Sequence, residues 1–189
     1  MSAAGGIGCR EAIPGKVLDK RNSYVEETLW PHLRSAYNLA RWMVRNDHDA
    51  EDIVQESFAK AFQAIDAFRG GDARVWILTI VRNTTLNFLR RRHGSDRPPL
   101  QELKTEPVDH APDAERELID RSRREKVRQA IEQLPPEYRD ALILREMEGL
   151  AYKEIAAVLK MPIGTVMSRL SRARNLLIQE LLPEKEGQP

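Results

Sequence analysis

From residue 22 onward, apolar side chains recur at helical spacing. Val25, Leu29, Leu33, Tyr37, Ala40 and Val44 form one stripe about six turns long, which predicts an amphipathic helix. Pro31 falls near its start, so the helix either begins after Trp30 or kinks there. A second stripe runs through Ile53, Val54, Phe58, Ala61, Phe62, Ile65 and Phe68, with Asp47 and Asp49 as candidate N-caps and Gly70-Gly71 as the stop. A third helix is expected after Asp72. It carries Val75, Trp76, Ile77, Leu78, Ile80 and Val81 and ends in Arg90, Arg91, Arg92 and His93, cations at the negative end of the helix dipole.

Between Gly94 and Pro112 the stripe disappears among Pro98, Pro99, Pro107 and Pro112. It returns at Leu118, Ile119, Val127, Ile131 and Leu134, and Pro135-Pro136 then closes one helix and opens another bearing Tyr138, Ala141, Leu142, Leu144 and Met147. Gly149 ends that helix. Two more follow, Tyr152 to Leu159 and about Val166 to Leu182, joined by Lys160-Met161-Pro162-Ile163-Gly164, with Thr165 expected to begin the second. No period-two alternation and no internal repeat interrupts this pattern. The expected fold is all-α, with two small helical domains on a flexible linker. The divisions are a leader over 1–21, a first domain over 22–93, a linker over 94–113, a helix-turn-helix domain over 114–182 and a tail over 183–189.

Composition narrows the function. Across 189 residues, 30 Lys+Arg nearly balance 29 Asp+Glu, so net charge names no partner and only local segregation of charge is informative. The single cysteine, Cys9, excludes an internal disulfide and a cysteine-rich zinc site. No apolar run approaches the ~20 residues that span a bilayer, and the glycine-rich N-terminus lacks a signal-peptide core, so a cytoplasmic protein is expected. His32, His48, His93 and His110 are scattered, and neither a phosphate-binding glycine loop nor a nucleophile motif is present. No catalytic residue, metal site, cofactor or small-molecule substrate is expected.

Three segments carry candidate chemistry. On the last helix, at ~100° per residue, Val166, Leu170, Ala173 and Leu177 share one face while Ser168, Ser171, Arg172 and Asn175 lie opposite. That is the layout of a reading helix in a major groove, with Arg169 and Arg174 at its flanks for phosphates and Thr165 at its head. Asp49, Asp52 and Glu56, with Gln55, recur on the second helix without a His or Cys partner. Their spacing fits a face docking onto a basic groove or coiled coil, and equally a solubilising face. The third helix lines up Arg74, Trp76, Arg82, Asn83, Asn87, Arg90 and Arg91, a set able to bind single-stranded nucleic acid by stacking, base-edge bonding and charge neutralisation. Trp76 taken alone reads as a core residue.

Read in order, these blocks resemble the extracytoplasmic-function sigma factors, the small two-domain class of bacterial RNA polymerase specificity subunits in the sigma-70 family. Asp49-Ala50-Glu51-Asp52-Ile53-Val54-Gln55-Glu56-Ser57-Phe58 is similar to the family's polymerase-docking helix. Ala73-Arg74-Val75-Trp76-Ile77-Leu78 through Ile80-Val81-Arg82-Asn83 and Leu89-Arg90-Arg91-Arg92 is similar to its promoter-melting helix. Leu134-Pro135-Pro136-Glu137-Tyr138-Arg139, Tyr152-Lys153-Glu154-Ile155-Ala156 and Gly164 through Arg174 match its second domain. The resemblance covers about residues 22 to 182.

It implies a non-catalytic initiation factor whose partners are core RNA polymerase and promoter DNA, as duplex and as melted strand. Many relatives are held by an anti-sigma factor, which makes one a further expected partner, although nothing in this sequence identifies it. On that carry-over, Asp49, Asp52, Gln55 and Glu56 contact the polymerase. Arg74, Trp76, Arg82, Asn83, Asn87, Arg90 and Arg91 meet the minus-ten strand, and Thr165, Ser168, Arg169, Ser171, Arg172 and Arg174 meet the minus-thirty-five duplex. Two positions depart from the family pattern: Lys160 stands where a turn glycine is usual, and Met167 where a lysine is frequent. The rival reading is a stand-alone helix-turn-helix regulator that binds duplex DNA without polymerase. The helical first half opposes it, since a typical response-regulator partner domain alternates β and α segments.

Overall fold

The computed structural model describes residues 23–93 and 114–182; the expected leader, linker and tail lie outside the described residues. All regular structure among the described residues is helical. Helical turns over 23–29 lead through a 3-10 turn at Trp30–His32 into α1, Leu33–Val44. Pro31 thus marks a tightening of the helix rather than its start. The first unit continues with α2, Asp47–Ala64, and α3, Ala73–His93. The second contains α4, Ala114–Gln133, α5, Pro136–Leu142, α6, Tyr152–Leu159, in the helix-turn-helix position, and α7, Ile163–Leu181.

 A π-helical turn at Ile143–Met147 extends α5 towards α6.

Local chemistry explains where these helices begin and end. The α2 N-cap is Asn46, whose side chain accepts from the Asp49 N–H at 2.8 Å. This corrects the expectation that Asp47 or Asp49 caps the helix. Asp47 instead accepts from Tyr37 Oη at 2.8 Å and from Arg41. Asp72 caps α3, with its Oδ1 accepting from the N–H groups of Arg74 at 2.8 Å and Val75 at 3.2 Å. Gly70 and Gly71 make the turn before it at φ +88° and +103°, where a Cβ would be strained. The last helix begins earlier than its apolar stripe suggests. Pro162 is its N-cap, and Thr165 lies within the first turn, its N–H bonded to Pro162 O at 3.0 Å.

Each unit buries only part of the stripe its sequence displays: Leu33, Phe62, Val127 and Met147 of the expected stripes are exposed, and the buried face of α1 is shifted to Ala36, Leu39, Ala40 and Met43. Ala36, Leu39, Ala40 and Met43 of α1 pack with Ala50, Ile53, Val54, Ser57 and Ala61 of α2 and with Ile77, Leu78 and Val81 of α3. The small side chains let the helices approach closely, and Ser57 satisfies its hydroxyl on Ile53 O at 2.6 Å. In the second unit Ile155, Val158 and Leu159 of α6 pack with Val166, Leu170 and Ala173 of α7. The units also pack on one another: α6 lies along α3, and their buried apolar residues belong to one continuous cluster.

The turn between α6 and α7 accommodates Lys160 in the left-handed region, at φ 53° and ψ 53°, with the Met161 N–H closing back on Ala156 O at 3.1 Å. An L-residue there carries a penalty of about 1 kcal/mol or more, partly offset by the lower chain entropy of a non-glycine unfolded state. Lys160→Gly is therefore expected to stabilise the chain by about 0.5–1 kcal/mol, read as a raised midpoint in urea unfolding. A lowered midpoint would show that the lysine side chain contributes more than its backbone strain removes.

Candidate nucleic-acid interface

On α7, Val166, Leu170 and Ala173 are buried and Leu177 is half-buried, so the opposite face projects from the domain. Ser168, Ser171, Arg172 and Asn175 lie on that face and are exposed. Arg172 Nη1 donates to Tyr138 Oη at 3.3 Å, which steadies the guanidinium without burying it. Ser168 Oγ donates to Thr165 O at 2.9 Å, leaving its lone pairs outward, and Thr165 is half-buried. Arg174 pairs with Glu146 at 2.7 Å, which holds its pKa above the usual value. Arg169 is half-buried beside Asp140 rather than projecting fully. Met167 is 51% exposed, so it belongs to the surface and not to the core.

The acidic residues of α2 divide. Asp52 and Gln55 are exposed, with His48 Nε2 3.9 Å from the Asp52 carboxylate. Glu56 is half-buried, 2.6 Å from Lys60 and 3.7 Å from Arg91. Asp49 turns towards the end of α3 and pairs with Arg92. Docking and basic faces therefore meet along the α2–α3 groove, an open depression of about 470 Å³ lined by Glu56, Lys60, Asn87, Arg90 and Arg91.

The α3 candidates also divide. Asn87, Arg90 and Arg91 are exposed, and Arg90 Nη1 donates to Asn87 Oδ1 at 3.4 Å. Asn83 is half-buried. Trp76 is half-buried too, its ring stacked on Phe68 with centroids 4.8 Å apart, so one π-face is already occupied. Arg74 and Arg82 face the second unit. Arg74 Nη2 donates to Glu148 Oε2 at 2.6 Å, and Asn38 Nδ2 donates to Glu148 Oε1 at 3.2 Å. Arg82 Nε lies 4.0 Å from Asp140 Oδ2, with the two side chains only 16% and 10% exposed.

The two cross-unit ion pairs differ electrostatically. Burial opposes ionisation of Glu148, but hydrogen bonds from Ser35, Arg74 and Asn38 outweigh it and bring its pKa below the usual value. Around Asp140 burial wins over Arg82, Arg139 and Arg169 and pushes the carboxyl up to about 6; burial likewise lowers the Arg82 pKa. Sequence reasoning did not single out Glu148, Asp140, Asn38 or Lys60. The available signal was Asp140 immediately before the apolar run Ala141-Leu142-Ile143-Leu144, since a carboxylate inside such a run needs a partner.

Two helical units, the second a helix-turn-helix with an exposed polar face, define a DNA-binding protein with more than one contact surface. Comparison with known proteins fixes its family. The Sigma-70 region 2 family matches residues 31–94, and Sigma-70, region 4 matches residues 124–177. The chain is 38% identical over 164 residues to the RNA polymerase sigma-H factor of Pseudomonas aeruginosa, covering 80% of this chain and 84% of that protein. It is 38% identical over 143 residues to the ECF RNA polymerase sigma-E factor of Escherichia coli, covering 71% and 75%. Among solved structures, the sigma factor RpoE in complex with the anti-sigma factor NepR, from Bartonella quintana, aligns with a TM-score of 0.68 at 28% identity. That alignment covers 85% of this chain and 98% of that one. The chain belongs to the extracytoplasmic-function group of the sigma-70 family and is an RNA polymerase sigma factor. Its functional partners are core RNA polymerase and promoter DNA.

Proposed function

We propose that residues 22–93 dock on core polymerase through Asp52, Gln55 and Glu56, with Asp49 behind them, and engage the minus-ten strand through α3. Asn83, Asn87, Arg90 and Arg91 meet the unpaired strand, Arg74 and Arg82 neutralise its backbone, and Trp76 on Phe68 supports the helix. Residues 114–182 read the minus-thirty-five duplex. Ser168, Ser171 and Arg172 reach base edges, while Thr165, Arg169 and Arg174 flank the phosphates. The factor is non-catalytic and acts in the cytoplasm, leaving nucleotide chemistry to the polymerase. The anti-sigma factor bound to the Bartonella quintana relative supports an anti-sigma partner here.

The observation that carries this reading is the presence on one chain of an exposed polar face on α2, with the carboxylate of Asp52 beside the amide of Gln55, and an exposed polar reading face on α7. Co-purification tests it: the tagged chain is expected to retain core polymerase at moderate salt. Tight binding to promoter duplex without polymerase retention would favour the stand-alone regulator.

Two expectations follow for α7. Arg172→Ala is expected to weaken the preferred minus-thirty-five sequence by ~1–3 kcal/mol relative to a scrambled duplex, if the guanidinium bonds a guanine edge. An equal loss on both duplexes would assign Arg172 to a phosphate. Met167 is exposed on the reading helix, so Met167→Lys, the residue that the family resemblance leads one to expect there, is expected to tighten binding without lowering the melting temperature. It should also steepen the dependence of log K on log salt by ~0.9, the release of about one counterion. An unchanged slope would show that this position misses the phosphates.

A further inference from the structure

We infer that Tyr138 is a specificity-determining residue of the minus-thirty-five contact, its hydroxyl holding the guanidinium of Arg172 in the orientation from which it reads a base edge. The inference rests on the assignment of α7 to the minus-thirty-five duplex. It adds a positioning residue on α5, outside the two helices of the helix-turn-helix.

The first turn of α5 fixes the phenol. Pro135 is the N-cap, at φ −51°, and Pro136 is the first helical residue, so two pyrrolidine rings set the backbone before Tyr138 is reached. The N–H groups of Tyr138 and Arg139 both close on Pro135 O at 3.0 Å. The Tyr138 ring is half-buried and packs against the hydrophobic core, which leaves its polar tip at the rim. There Oη accepts from Arg172 Nη1 at 3.3 Å, across 34 positions of sequence. On the other side of that bond Leu170 and Ala173 are buried, so the stretch of α7 that carries Arg172 is anchored as well. A fixed acceptor therefore meets a long side chain that rises from a fixed backbone.

The three arginines of α7 are held in chemically different ways. Arg174 Nη2 donates to the Glu146 carboxylate at 2.7 Å, and Arg169 lies in the field of Asp140. DNA must compete with a carboxylate for each of them. Arg172 donates instead to an uncharged hydroxyl, so it is oriented while its full charge stays available to the duplex. The phenol uses one N–H of the guanidinium fork, and the remaining donors include pairs along its other edges, the arrangement that binds guanine O6 and N7 together. A freely rotating arginine gives up rotamer entropy to reach that geometry, and restraint before binding removes part of the cost. A phosphate accepts a guanidinium from many directions, whereas a base edge accepts it from one. Orientation by Tyr138 therefore acts on discrimination between sequences rather than on overall affinity.

The test uses the full chain reconstituted with core polymerase and two promoter duplexes. One carries the minus-thirty-five element that the unmodified chain selects from a random library, and the other carries that element scrambled. Tyr138→Phe keeps the ring and removes the hydroxyl. It is expected to lower affinity for the selected promoter about three- to tenfold, the net worth of one exposed hydrogen bond, with the scrambled promoter and the melting temperature unchanged. On an Arg172→Ala background the same substitution is expected to cost nothing further, because the two side chains act as one unit. Equal losses on both promoters would overturn the inference by making the hydroxyl a backbone contact. The same loss with and without the Arg172 guanidinium would overturn it too, since the phenol would then act independently, and so would a lowered melting temperature with an unaltered ratio between the promoters. Unchanged discrimination in Tyr138→Phe, where Arg172→Ala lowers it, would overturn the positioning role alone. Unchanged discrimination in Arg172→Ala would overturn the base-reading assignment of Arg172 and the positioning role with it.

Discussion

Reversing the charge at Asp52 and Glu56, as Asp52→Lys with Glu56→Lys, is expected to weaken binding to core polymerase by at least tenfold, from about 1.5 kcal/mol or more per close charge pair lost. The two sites contribute differently within the chain. Asp52 is exposed, with His48 Nε2 3.9 Å from its carboxylate, so its reversal is expected to leave the fold intact. Glu56 lies 2.6 Å from Lys60 and 3.7 Å from Arg91, and a lysine in its place meets two like charges. Those pairs are partly exposed, so the loss of stability should stay within about 1 kcal/mol for each. Polymerase pull-down alongside circular dichroism separates the effects, with Asp52→Lys alone as the cleaner variant. Unchanged retention at moderate salt would leave α2 with a solubilising face and no docking role.

Replacing Asn83 and Asn87 by alanine is expected to impair promoter opening far more than duplex binding. Base stacking and base-edge contacts to an unpaired strand exist only after melting and are worth ~1–3 kcal/mol per base. Asn87 is exposed and Asn83 half-buried, so the single variants should rank in that order for loss of strand contact. Permanganate reactivity of unpaired thymines within the polymerase complex measures opening, and a mobility shift on closed duplex measures binding. Normal reactivity in the double variant would remove α3 amides from the minus-ten contact.

Element order was legible in the sequence because each helix displays its stripe and most carry strong punctuation. Gly70-Gly71, Asp72, Pro136 and Gly149 all act where local chemistry places them. Lys160 accepts the left-handed turn that the family pattern gives to glycine. The errors were short-range ambiguities. Asn46 competes successfully with Asp47 because Tyr37 and Arg41 engage the aspartate, and Pro162 starts α7 before its apolar face begins.

The site was legible as three groups but not as their arrangement. Periodicity assigns residues to a face and says nothing of which distant face covers it, so the pairing of Arg74 with Glu148 across 74 positions left no local trace. The same limit applies to Asp49, whose spacing groups it with Asp52 and Glu56 but whose carboxylate is engaged by Arg92. Asp140, immediately before the apolar run Ala141-Leu142-Ile143-Leu144, was the accessible hint that the two units meet there.

Run-off transcription with purified core polymerase, this chain and a promoter library tests the central claim most directly. A sigma factor is expected to yield transcripts only when the chain is present, from templates sharing a minus-thirty-five and a minus-ten element, with initiation lost when either element is scrambled. Duplex binding by the chain without any chain-dependent transcript from any template would contradict it.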